Sequence, residues 1–75
     1  MKFFIHTPYI QLNQLLKAAR LAETGGQAKM MIEDGLVKLN GLPESRIRAK
    51  IKPGDVVSAF SKTIEVCAAE SEYQS

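Results

Sequence analysis

From Arg46 to Lys52 the chain reads R-I-R-A-K-I-K, a base alternating with an apolar residue at every step. Successive side chains of an extended strand point to opposite faces. The spacing therefore predicts Arg46, Arg48, Lys50 and Lys52 on one face at intervals of about 6.6 Å, with Ile47, Ala49 and Ile51 turned toward a core. Arginine offers a planar fork for phosphate oxygens and lysine a mobile point charge. A comb mixing the two suits a nucleic-acid backbone better than a defined base sequence, and recognition of folded RNA by shape is one natural use. The same alternation also fits the solvated side of an amphipathic strand, or an edge strand guarded by charge, and the segment alone leaves both readings open.

Other residues extend or limit that chemistry. Lys38 and Asn40 precede the comb, and Lys17, Gln27 and Lys29 lie on helical segments where they would widen a polar, RNA-facing surface. Thr24-Gly25-Gly26-Gln27 has the form of a capping box, and its glycines and free helix-start amides also admit close approach of a phosphate. It is neither G-x-G-x-x-G nor a P-loop with its lysine and hydroxyl. His6 is the only histidine and Cys67 the only cysteine, neither in an acid-base or metal-ligand spacing, and Glu33-Asp34 are adjacent and diverge on a helix. No catalytic residue, metal site or cofactor is expected.

The elements that position the comb follow from periodicity. Phe3, Phe4 and Ile5 form a β-prone run ended by Thr7-Pro8, a pair suited to the cap and first position of a helix. Leu12, Leu15, Leu16 and Ala19 then share one helical face, which predicts a first helix over roughly Tyr9 to Ala22. A second helix starts at Thr24, buries Ala28, Met31 and Ile32, and stops at Gly35. Val37 and Leu39, alternating with Lys38 and Asn40, read as a strand and Asn40-Gly41 as a tight turn. The comb is expected as the next strand, followed by a turn at Pro53-Gly54-Asp55. Val56 to Phe60 and Thr63 to Val66 are expected as a hairpin through Ser61-Lys62, and residues 68–75 as a frayed polar tail. The resulting fold class is α+β, a helix pair packed on a small, mostly antiparallel sheet of 3-5 short strands.

Composition agrees with one small domain spanning residues 1–75, at 45% hydrophobic and 24% charged residues. The lone Cys67 rules out an internal disulfide and suits a reducing compartment. With no apolar run of membrane-spanning length and no signal-peptide pattern, the expected home is the cytoplasm and no membrane partner is expected. The net charge of +2 is unevenly spread. Residues 1–20 hold Lys2, Lys17 and Arg20 without an acid, residues 38–52 hold the comb and Lys38 against Glu44 alone, and the acids gather in 21–37 and 53–75. Such asymmetry implies one polyanion-facing side.

Several segments carry a family resemblance: L-x-x-L-L-K in the first helix, T-G-G-Q-A-K-M-M-I-E-D-G across the second, V-K-L-N-G at the strand and turn, and K-I-K-P-G-D-V-V after the comb. From Ile10 to Val57 the chain resembles the RNA-binding domain family named after ribosomal protein S4. It looks closest to short, stand-alone bacterial members with G-G-x-A-K and N-G-x-x-E-x-R segments. The resemblance implies a helix pair on a small curved sheet, with RNA across the second helix's start and the following strands. Gln27, Lys29, Lys38, Asn40, Arg46 and Arg48 match the family's RNA-facing positions. Where many members have Ser-Arg at the second helix's start, this chain has Thr24-Gly25 and lacks that base.

The expected function is therefore non-catalytic binding of structured RNA, ribosomal or transfer RNA being the natural candidates, through phosphate and shape contacts. The alternative is a protein-interaction adaptor docking through the helix pair and acidic tail, which exposure of Met30 would favour.

Overall fold

Lys2–Ile5 forms strand β1 because its alternation places Phe3 and Ile5 toward the core, and in the computed structural model, described here for residues 1–69, it lies parallel to β7 (Lys62–Ala68). Strand β6 (Val56–Ala59) pairs antiparallel with β7 and with β3 (Val37–Leu39), and β3 pairs with the two-residue β4 (Leu42–Pro43). The five-stranded order is β1-β7-β6-β3-β4, so one pairing is parallel and the others antiparallel. Helices α1 (Leu12–Ala18) and α2 (Gly25–Glu33) bury Leu12, Leu15, Leu16, Ala28, Met31 and Ile32 in a core that also takes Val37, Val57, Ile64 and Val66 from the sheet. The α+β expectation holds, with the sheet at its upper size and a separate two-stranded ribbon, β2 (Ile10–Gln11) with β5 (Lys50–Ile51), beside it.

The first helix is shorter than its periodicity predicts. Thr7 does not cap it: its hydroxyl donates to the Tyr9 carbonyl at 2.8 Å, two residues on, and Ile10–Gln11 is drawn into the ribbon. The cap comes from far along the chain, as the amides of Leu12 and Asn13 donate to the carbonyls of Ala49 and Ile47 at 2.9 and 3.0 Å. At the other end Arg20 adopts φ 65, and the amides of Leu21 and Ala22 turn back to the Leu16 carbonyl, the bonding of a left-handed helix stop. An arginine occupies a place that glycine would take without strain.

The second helix follows the sequence closely. Thr24 Oγ1 accepts from the Gln27 amide at 3.0 Å, while the Gln27 side chain accepts from Glu23 rather than from Thr24 itself, one residue outside the usual box. Thr24→Ala removes the one side-chain cap of α2 and is expected to lower stability by about 1 kcal/mol. In a domain of this size that is a fall of roughly 4–8 °C in a thermal melt, with the native circular-dichroism spectrum retained.

Two turns and the tail need correction or refinement. Asn40 and Gly41 both have positive φ, at 53 and 87, as the β3–β4 turn requires. The β6–β7 hairpin closes one residue early, because Ala59 pairs with Lys62 and Phe60-Ser61 makes the turn, Phe60 taking φ 58. Ala68 belongs to β7 opposite Ile5, and Ala69 is buried with its amide donating to the Ile5 carbonyl, so the expected fraying does not begin at residue 68. The rest of that tail, 70–75, lies outside the described residues. No helix of the described residues is long and apolar enough to cross a membrane.

Candidate nucleic-acid interface

The comb is not a strand along its length. Only Lys50–Ile51 is in a ladder; Ile47 and Arg48 form a turn closed by the Ala49 amide on the Arg46 carbonyl at 3.2 Å. The carbonyls of Ile47 and Ala49 are both taken up by the start of α1, and the Ala49 amide is spent within the segment on the Arg46 carbonyl instead of on a neighbouring strand. The two faces survive nonetheless. Ala49 and Ile51 are buried and Ile47 packs against the core, while Arg46, Arg48, Lys50 and Lys52 are exposed. Alternation reported the burial correctly and the backbone wrongly, since a turn pinned at alternate carbonyls gives the same inside-outside order.

The four bases are not equivalent. Arg46 donates through Nε and Nη2 to the two carboxylate oxygens of Glu44 at 3.0 and 3.2 Å, and its backbone amide donates to Glu44 Oε2 at 3.0 Å. Those bonds from Arg46 hold the Glu44 carboxyl below the usual glutamate value of 4.5, and the carboxylate in turn raises the Arg46 guanidinium. Lys50 places Nζ 5.0 Å from the centre of the Tyr9 ring. Arg48 and Lys52 make no ion pair among the described residues. Lys52 is fixed instead through its backbone amide, which donates to Asp55 Oδ2 at 2.8 Å.

Because the Glu44 pKa is depressed in the folded state, the ion pair's stabilisation is present above the unfolded carboxylate's pKa and is lost as pH falls through the folded one. Glu44→Gln is therefore expected to melt below the native protein at neutral pH, the gap narrowing as pH falls below 4.5. Paired melts across that range check it; a gap independent of pH would contradict it.

Tyr9, Arg46, Arg48, Ala49, Lys50 and Lys52 line an open hollow of about 620 Å³. Tyr9 is also a wall of a second hollow with Thr7, Pro8, Ile10, Gln11 and Gln14. Gln14 continues into a third with Lys17 and Ala18, and Lys17 into a fourth with Arg20, Ala22 and Glu23. Each hollow shares a residue with the next. Together they form one track from the comb along α1 to the corner before α2. The track gathers six bases against Glu23, with Glu44 at its margin.

Of the residues singled out in the sequence, this track unites Lys17 with Arg46, Arg48, Lys50 and Lys52. Lys38 stands apart: it lies on β3 between buried Val37 and half-buried Leu39, exposed on the sheet face away from the helices. Asn40 has a structural task, donating to Asp55 Oδ1 at 3.1 Å and accepting from the Val56 amide at 2.8 Å. Gln27 is tied to the cap of α2, and Lys29 is exposed on that helix, lining none of the four hollows. Tyr9 and Arg20 were not singled out. Tyr9 joins the site only because β2 pairs with β5, and nothing in local spacing signals that pairing. Arg20 gave a faint sign as one of the bases in an acid-free N-terminal segment. No group of three or more His, Cys, Asp or Glu side chains converges as a metal site among the described residues.

A helix pair on a mixed five-stranded sheet, carrying a basic loop docked on its first helix, defines a small α+β module with an exposed basic surface. The S4 domain family matches residues 3–67, and the chain belongs to that family. It is 41% identical over 61 residues to YbcJ of Escherichia coli, covering 81% of this chain and 87% of that one. The solution structure of YbcJ superposes with a TM-score of 0.70 at 38% identity, over 89% of this chain and 86% of that chain, and is described as revealing a motif involved in RNA binding. RlbA of Bacillus subtilis, named a probable ribosome maturation protein, is 40% identical over 53 residues, 71% of this chain and 75% of that one. The small ribosomal subunit protein uS4m of Schizosaccharomyces pombe is 31% identical over 61 residues, 81% of this chain but 19% of that protein.

Proposed function

We propose that this S4 domain is a non-catalytic module that binds structured RNA through the basic track, by phosphate and shape contacts with little reading of base edges. The observation that carries the reading is the continuity of the four hollows, which brings Arg46, Arg48, Lys50 and Lys52 onto one surface with Lys17 and Arg20. The RNA-binding motif described for YbcJ supports it, and the ribosomal names of the Bacillus and Schizosaccharomyces relatives favour ribosomal RNA over transfer RNA as the partner. Lys38, Asn40, Gln27 and Lys29 are assigned to the periphery of the contact, and the cytoplasm is the compartment where it would form.

Titration of the purified protein against a structured RNA, a single strand and a DNA duplex tests this directly. Preference for the structured RNA is expected, and indifference to all of them would overturn the reading. One observation favours the adaptor alternative: Met30 is 62% exposed on α2 while its neighbour Met31 is buried. That reading expects a complex unaffected by salt and by changes at Arg46 and Arg48; its acidic tail, with Glu70 and Glu72, lies outside the described residues.

A further inference from the structure

We propose that Tyr9 is a stacking platform for one unpaired nucleobase, so that the RNA recognised here is a helix interrupted by a bulge or loop rather than a continuous duplex. The proposal rests on the basic-track reading and adds the kind of RNA that fits it.

Tyr9 is the residue shared by the comb hollow and the hollow formed by Thr7, Pro8, Ile10, Gln11 and Gln14, and it is 39% exposed. Its backbone is held at two points. The Thr7 hydroxyl donates to its carbonyl, and the next residue, Ile10, is paired with Ile51. Lys50, which lines the comb hollow with Tyr9, sets its ammonium over the ring. The second hollow carries no charged side chain, and Gln11 and Gln14 supply amide groups at its wall. A flat ring held in place, an uncharged recess against it and amides at the rim are what a splayed-out base requires, since every base has a face to stack and polar edges to satisfy.

The charges agree with that placement. Bases lie on both sides of the recess, the comb on one and Lys17 with Arg20 on the other. A strand whose phosphates follow the track therefore brings a nucleotide to Tyr9 midway. A paired base has both faces covered by its neighbours in the stack and cannot take the ring, so a perfect duplex gains the phosphate contacts alone.

The test compares two RNA hairpins of equal phosphate number, each closed by the same non-nucleotide linker so that neither has loop bases, one fully paired and one carrying a single unpaired 2-aminopurine, against the native protein and the variants Tyr9→Ala, Tyr9→Phe and Tyr9→Leu. The native protein is expected to bind the bulged hairpin roughly tenfold more tightly, within the range that base stacking on an aromatic side chain supplies, with quenching of the 2-aminopurine fluorescence. Tyr9→Phe is expected to keep both effects. Tyr9→Ala and Tyr9→Leu are expected to lose both the preference and the quenching; the readout is the ratio of the two hairpins' affinities, which a change common to both hairpins does not move, and Leu preserves apolar bulk and so guards against a merely structural loss. Binding of the paired hairpin with no preference for the bulge, or a preference that survives Tyr9→Leu, overturns the proposal and leaves the basic track standing. Failure to bind either hairpin overturns both.

Discussion

Changing Arg46 and Arg48 together to alanine is expected to weaken binding to structured RNA by roughly 30-fold at about 0.1 M salt while leaving the fold intact. Net contributions from hydrogen bonds to charged groups run at about 1.5–3 kcal/mol each, and about 1.4 kcal/mol is a factor of ten. Two such losses would exceed a hundredfold if both arginines were free. Arg46 is not: its fork is engaged by Glu44, and a phosphate must compete with that carboxylate. Arg48 therefore carries the larger share, and Arg48→Ala alone should account for most of the loss. The fold survives because both side chains are exposed, and losing the solvent-screened partner of a surface ion pair costs a fold little. Fluorescence anisotropy with labelled RNA, beside a thermal melt, checks both halves. Unchanged affinity, or an unfolded variant, would contradict the assignment.

Ile51→Ala is expected to do the opposite, abolishing binding by way of the fold. Ile51 is fully buried, opposite Ile10 in the ribbon that fastens the basic loop to α1. Cutting a wholly buried isoleucine to alanine costs about 2–5 kcal/mol, against a native stability of only a few to about 11 kcal/mol for a chain this short. The melting temperature should fall by at least about 10 °C. Hydrogen exchange should accelerate first at the amides of Leu12 and Asn13, whose acceptors lie in the loop that Ile51 anchors. Retained stability would show that the comb does not depend on the ribbon.

These two variants separate what the sequence makes visible from what it hides. Burial was legible wherever side-chain period and backbone agree, as with the Ala28, Met31 and Ile32 face of α2 and its Thr24 cap. It was legible even in the comb, where Ala49 and Ile51 turn inward without a continuous strand. Backbone form was less so when a distant segment supplied the bonds. Leu12 and Asn13 find their acceptors at Ala49 and Ile47, so α1 begins later than its own residues suggest, and the comb bends to serve it. Two left-handed residues were hidden because their types give no warning: Arg20 and Phe60 sit where glycine or asparagine would have announced a turn. Tyr9 enters the candidate site only through a long-range pairing, and the tether of Arg46 to Glu44 was written in an E-x-R spacing whose meaning needs the irregular backbone of residues 44–46.

Glu44 also bears on how the track works. By holding both the guanidinium and the amide of Arg46, it fixes the direction of one tooth of the comb while lowering its net charge. On the proposed reading, Arg48 and Lys52, which make no ion pair among the described residues, and the Lys50 ammonium over Tyr9 would be the main source of counterion release on binding RNA.

The most direct measurement is the salt dependence of the affinity for a structured RNA, followed from about 0.05 to 0.2 M monovalent salt for the native protein and for Arg48→Ala. If the comb neutralises phosphates, log affinity falls linearly with log salt with a slope of about −3 for the native protein, and the slope becomes shallower by about 0.7–0.9 when Arg48 is removed. A slope near zero, or one that Arg48→Ala leaves unchanged, would contradict a phosphate-binding comb.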